Sequence, residues 1–264
     1  MSLRTLRLAV QFLTRLPVRS VEDFSPAELS SAGVWFPVVG AIVGLIVALP
    51  LLLFVRFYDN VAGQILPAAV AVLLWVWVTG ALHLDGLGDL ADALAASHRD
   101  PKRFLEVLAD PHLGTFGVVS IILAILLKTA AFYSVQVDAA LGGTAWYALP
   151  LLAAWARLGP LAWSRWLPPL KAGHGANFGG PNSAKSERFA WNSGLAVILF
   201  WTAVLLAVSA WLAPVLCIAP IVLAAWGLWL HHRVGGMTGD CLGAGVEITE
   251  IALLLALSAS RFHA

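Results

Sequence analysis

The chain has 264 residues, 60% of them apolar and only 12% charged, where a soluble domain carries about 25% charged residues. Sixteen Lys and Arg stand against fifteen Asp and Glu, a formal balance of +1, so no basic field points to nucleic acid as a partner. Disorder, a secreted disulfide scaffold and a water-soluble enzyme are excluded, and the composition predicts an all-α, polytopic integral membrane helical bundle forming one domain over 1–264.

The first 16 residues lack an uninterrupted apolar run and a small-residue cleavage site, so they do not read as a cleaved signal. Arg4, Arg7, Gln11 and Arg15 recur at helical spacing along an otherwise apolar segment. That stripe predicts an N-terminal interfacial helix with its basic face toward lipid headgroups; a helix packed on the bundle is the alternative. Crossing the bilayer takes about 20 apolar residues, and about seven segments qualify: 32–57, 65–82, 115–135, 145–163, 194–212, 215–230 and 238–258. Gly40 and Gly44 form a small-residue pair suited to close helix packing within the protomer, or else to a homo-oligomer. Trp35, Trp75, Trp77 and Trp163 read as interfacial anchors. Cys217 and Cys241 read as free thiols, with no cysteine spacing for zinc.

With the N-terminus inside, Arg4, Arg7, Arg15, Arg19, Arg99, Lys102, Arg103, Arg165, Lys171, Lys185, Arg188 and Arg233 fall on the cytoplasmic side. Arg56 and Arg261 fall opposite. The positive-inside bias therefore predicts a multi-pass protein whose acid-rich segments open on the cytoplasm.

The end of the second span reads HLDGLGDLAD, residues 83–92. Asp85, Asp89 and Asp92 stand at i, i+4 and i+7, one face of a helix. Like charges at that spacing repel, and a divalent cation between them relieves the repulsion. All-oxygen ligands without cysteine suit Mg²⁺, with Mn²⁺ as a substitute. The bland alternative is a helix start with acids near its positive dipole end.

Downstream stand Arg103, Glu106 and Asp110, then DPHLGTFG over 110–117. Gly114 and Thr115 open a helix whose N–H groups suit a phosphate. Arg103 either forks onto a phosphate or pairs with Glu106. The block GGMTGDCLGAGVEITE, residues 235–250, places Thr238 and Asp240 before Glu247 and Glu250. Acids inside a membrane helix face the bundle interior or a wet cavity, so a functional role is expected there. Lys128 and Arg157 read as counter-ions to buried acids, or as substrate contacts. The Gly-rich stretch 171–185 reads as a lid or a plain loop.

Taken together these residues resemble the cobalamin synthase family, also called adenosylcobinamide-GDP ribazoletransferases. The resemblance rests on FLTRLP at 12–17, WFPVVG at 35–40 and the three blocks at 83–92, 110–117 and 235–250. It implies transfer of the adenosylcobinamide phosphate group from adenosylcobinamide-GDP to alpha-ribazole or its 5′-phosphate. Adenosylcobalamin or its 5′-phosphate and GMP would be the products, at an inner membrane. Such a reaction asks for charge neutralisation on a pyrophosphate and an alcohol held in line. The resemblance further implies Asp85, Asp89, Asp92 and Asp240 as Mg²⁺ ligands, and Asp92 or His83 as the group that takes the hydroxyl proton. Arg103, Asp110, Gly114, Thr115, Thr238, Glu247 and Glu250 are expected around the substrates. Two other classes compete: a phosphotransferase of the CDP-alcohol type, which also uses Asp-rich helices, and a cation or corrinoid transporter. The GGMTGD block argues against the first. Against the second stand the clustering of acids at one end and the lack of paired broken helices.

Overall fold

The computed structural model describes residues 2–55, 61–98, 100–171 and 184–260, and gives no side-chain description for 61, 62 and 184–193. Arg56, Arg99, Arg261 and the stretch 172–183 lie outside the described residues, as do the side chains of Lys185 and Arg188. The described residues form α1 (Leu3–Leu13), α2 (Pro26–Ala32), α3 (Phe36–Phe54), α4 (Ile65–Thr79), α5 (Leu82–Ala96) and α6 (Pro101–Val107). They continue through α7 (Thr115–Ala140), α8 (Leu149–Trp166), α9 (Ala184–Leu212), α10 (Ala219–Arg233) and α11 (Gly239–Ala259). Among the described residues, extended pairing is limited to one bridge between Pro169 and Met237.

Within the described residues all seven segments expected to span are largely helical, but they are not equivalent. Among the described residues, five stretches are long and apolar enough to cross a membrane: Pro26–Phe54, Thr115–Ala140, Gly194–Leu212, Pro214–Arg233 and Gly239–Ala259. A sixth arises only if α4 and α5 count as one span, across a bend of 87°. The elbow has a local cause. Gly80 closes α4 at φ +61° and Ala81 follows at φ +59°, two successive left-handed residues that no helix can run through.

The remaining segment is α8, which carries Arg157 and Arg165 and has fourteen of its eighteen residues buried. It is the central post of the bundle, so protein rather than lipid surrounds most of it. Helix α3 packs along it through Gly40 and Gly44. A Cβ at Gly40 would run into the Ala153 carbonyl, and one at Gly44 into the backbone at Leu149 and Pro150. The small-residue pair is thus used inside the protomer, where backbones approach closely. The outer faces stay apolar: Phe116, Val119, Leu123 and Leu126 on α7 and Leu199 and Trp211 on α9 are exposed. A surface of that kind is matched to hydrocarbon.

One expectation needs correction. Trp75 and Trp163 are buried, not interfacial anchors; Trp163 donates through Nε1 to the Leu223 carbonyl at 2.8 Å. Trp77, 65% exposed, is placed as an anchor would be. Helix α1 is packed on the bundle through Leu8, Ala9, Val10 and Leu13, and its polar stripe is only partly free. Arg4 pairs with Glu28 at 2.9 Å, and the Gln11 amide exchanges hydrogen bonds with the Val21 backbone. Arg15 lies beyond the end of α1. Both cysteines are free thiols, Cys241 buried and Cys217 partly so.

Candidate active site

Helix α5 presents Asp85, Asp89 and Asp92 along one face, as the spacing predicts, with Asp85 exposed and the other two half-buried. The helix packs on α11 and α7. Gly86 makes that approach possible: a Cβ there would stand 2.8 Å from the Asp240 carbonyl oxygen, well inside contact distance. Backbone against backbone, the acid helix meets the head of α11.

The head of α11 is built by Thr238, whose hydroxyl caps the helix by accepting from the Cys241 N–H at 3.3 Å. Just before it, the Met237 N–H donates to the Pro168 carbonyl and the Leu170 N–H donates to the Met237 carbonyl, both at 2.9 Å. This pairing fixes the backbone that carries Lys171. The Lys171 ammonium then stands 3.0 Å from Asp240 Oδ2, with the Thr238 hydroxyl 3.3 Å from the same oxygen. Asp85, Asp240 and Asp92 all bear on Asp89 with like charge, and the Lys171 ammonium opposes them.

Asp92 has a structural task that the sequence did not disclose. Its Oδ2 accepts from the Gly114 N–H at 2.6 Å and its Oδ1 from the Gly117 N–H at 2.9 Å. It caps α7 from another helix and complements the positive end of that helix. A Cβ at Gly117 would collide with this carboxylate and come within 2.9 Å of the Gly88 carbonyl. The N–H groups expected to cradle a phosphate at 114–117 are therefore partly spent on Asp92, which corrects that expectation for Gly114. Thr115 opens α7 at the surface. Arg103 pairs with Glu106 at 3.3 Å, the local alternative rather than a free fork. Asp110 accepts from the backbone N–H of His112 and meets its Nδ1 at 2.6 Å, and these two bonds hold its carboxyl below the usual range.

Glu247 and Glu250 stand apart from the acidic face. Both are buried, and Lys128 of α7 reaches them at 2.6 and 2.5 Å respectively. Arg157 of α8 also pairs with Glu250. The Trp75 ring lies beneath both cations, 4.7 Å from Lys128 Nζ and 5.7 Å from the Arg157 guanidinium carbon. Two acids and two bases cancel in a place where neither charge is tolerable alone. Lys128 and Arg157 are counter-ions to these acids, and Glu247 and Glu250 have no exposed face for substrate. His83 is enclosed close by, its Nδ1 without a hydrogen-bond partner.

Among the described residues, no three His, Cys, Asp or Glu side chains converge into a ready-made metal cage. The donor set still suits a hard cation, because Asp85, Asp89 and Asp240 offer only oxygen and the Lys171 ammonium already stands among them as a positive charge. Mg²⁺ commonly takes one or two carboxylates and completes its shell with water and substrate phosphate. The residues fit an open site of that kind, not a closed one.

Residues 5–258 match the family model of cobalamin-5-phosphate synthase. The chain belongs to that family. An adenosylcobinamide-GDP ribazoletransferase of Laribacter hongkongensis is 48% identical over 96% of both chains. That of Thiobacillus denitrificans is 44% identical over 96% of this chain and 94% of its own. The corresponding protein of Novosphingobium aromaticivorans is 40% identical, covering 95% and 94%. No solved structure matches the chain. Cobalamin-5-phosphate synthase membership sets aside the CDP-alcohol and transporter readings. It also gives the three blocks at 83–92, 110–117 and 235–250 a common setting: they meet at the two contacts just described, Gly86 on Asp240 and Asp92 on Gly114. Sequence reasoning missed Lys171 as the partner of Asp240, because nothing in a lone lysine 69 residues away signals the contact.

Proposed function

We infer that this chain is a membrane transferase that moves the adenosylcobinamide phosphate group from adenosylcobinamide-GDP to alpha-ribazole or its 5′-phosphate. The family match over nearly the whole chain carries this reading. A ribose hydroxyl of the acceptor forms a new ester bond to the phosphorus that bears cobinamide. The bond from that phosphorus to the bridging oxygen breaks, and GMP departs. The products are GMP and adenosylcobalamin or its 5′-phosphate, completing the nucleotide loop.

Asp85, Asp89 and Asp240 would hold Mg²⁺, or Mn²⁺ in its place, which when bound neutralises charge on the pyrophosphate. Asp92 holds the head of α7 against α5 and so keeps the acidic face in register. Both of its oxygens are engaged and His83 is enclosed, so the hydroxyl proton passes to whichever carboxylate of the open face, Asp85 or Asp89, is not bound to the metal. The basic residues of the sequence support an inner-membrane, multi-pass arrangement with this face toward the cytoplasm, and the lipid bilayer covers the apolar flanks.

The test is turnover by purified protein given adenosylcobinamide-GDP and alpha-ribazole, with and without Mg²⁺. GMP and a cobamide appear in equal amounts if the reading holds, and only in the arm with Mg²⁺ if the metal is needed. Folded protein that yields neither product in either arm would overturn it.

A further inference from the structure

The segment 12–17 takes no part in the acidic face, yet it encloses a cavity of about 270 Å³ against the α4–α5 elbow, near the lower bound of small-molecule pockets. Phe12 and Phe24 line it, Phe12 being stacked on Phe36 at 6.2 Å. Leu82, the first residue of α5, closes it on the side of the acids. Leu82, Asp85 and Asp89 fall at i, i+3 and i+7, so the cavity opens onto the same helix face that carries the two carboxylates. Its polar side chains are mostly committed. Thr14 donates to the Val10 carbonyl, Thr79 to the Trp75 carbonyl, and Gln11 is held by Val21.

Arg15 is the exception. Its N–H is anchored to the Val78 carbonyl at 2.7 Å and its stem lies over Gly80, where a Cβ would meet Nε at 2.5 Å. Among the described residues its guanidinium makes no ion pair. The cavity therefore offers aromatic walls, few uncommitted hydrogen-bond partners and one free cation built to grip a phosphate.

We propose that this cavity seats the acceptor nucleotide, with the benzimidazole base against Phe12 and Phe24 and the 5′-phosphate on Arg15. The proposal rests on the transferase reading and adds the acceptor site. Guanine is the poorer occupant, because its ring N–H and amino group would be desolvated against apolar walls and spent side chains. The benzimidazole of ribazole carries no such donors. Seated there, the acceptor lies at the end of the α5 face that carries Asp85 and Asp89.

The experiment compares alpha-ribazole 5′-phosphate with alpha-ribazole as acceptors for wild type, Arg15→Gln and Arg15→Lys. Equilibrium binding of alpha-ribazole 5′-phosphate alone is measured in parallel on the full chain in detergent. In Arg15→Gln the ratio of kcat/KM for the phosphorylated over the free acceptor falls about 10- to 100-fold, carried by KM. Arg15→Lys recovers part of it, and Arg7→Gln, on exposed α1 surface, leaves the ratio as it was. Wild type that binds the nucleotide through Arg15 but turns nothing over would refute the transferase reading and leave the site standing. Equal losses for both acceptors, or no binding by wild type, would overturn the site.

Discussion

Lys171 and Asp240 meet at 3.0 Å across 69 residues of chain, and the ammonium also opposes the like charges that bear on Asp89. A divalent cation drawn to the same carboxylates must displace it. Lys171→Gln therefore binds Mn²⁺ more tightly than wild type, by roughly 3- to 10-fold, since about 1.4 kcal/mol of removed competition is tenfold in affinity. Counting free Mn²⁺ by electron paramagnetic resonance in a titration measures this. Weaker binding by the variant would show that Lys171 supports the ion instead of competing with it.

Asp92 ties Gly114 and Gly117 to α5 through two charge-assisted bonds. Asp92→Asn keeps the shape but supplies one acceptor oxygen where two were used. A lost cap costs about 1–2 kcal/mol, so the unfolding transition in detergent shifts to lower temperature. Turnover at saturating Mg²⁺ falls but persists, because the proton acceptor lies elsewhere. An unshifted transition with abolished turnover would return Asp92 to the catalytic role suggested by its place in the motif.

That difference shows which features the sequence makes legible. The shared face of Asp85, Asp89 and Asp92 follows from local periodicity, and apolar runs of about 20 residues mark the helices without any knowledge of partners. The sharp elbow is half legible: Gly80 is an ordinary helix stop, but nothing marks Ala81 as left-handed. Long-range pairing is not legible at all. The mates of Glu247 and Glu250 sit on α7 and α8, and a tryptophan near a span end looks the same whether it faces lipid, as Trp77 does, or lies under two cations, as Trp75 does.

The Lys128, Glu247, Glu250 and Arg157 cluster is balanced only while all four members are present. Lys128→Met leaves two buried carboxylates to one guanidinium, a loss of order 3–5 kcal/mol by analogy with buried pairs broken on one side. Adding Glu247→Gln restores the balance of charge, and the double variant recovers more than half of the lost stability. Chemical unfolding in detergent micelles measures both. Additive losses in the double variant would mean that Lys128 and Glu247 do not act as a pair.

Gly86 separates a packing role from a chemical one. Its added Cβ in Gly86→Ala would stand 2.8 Å from the Asp240 carbonyl and 3.1 Å from the Asp240 Cα, and neither atom can swing aside because both are backbone. The helices must part by several tenths of an ångström, which moves Asp85 and Asp89 away from Asp240. Alanine favours the helix over glycine by about 1 kcal/mol, so helix propensity offsets part of the clash and the protein stays folded. Turnover suffers more, because small displacements in a phosphoryl-transfer site are felt directly, with about 100-fold losses for misplacements near 1 Å. We expect turnover down by roughly 10-fold or more with the unfolding midpoint nearly in place, and Mn²⁺ affinity reduced in step. Normal turnover in Gly86→Ala would show that α5 and α11 need not touch at this point, and that Asp240 acts independently of the α5 carboxylates.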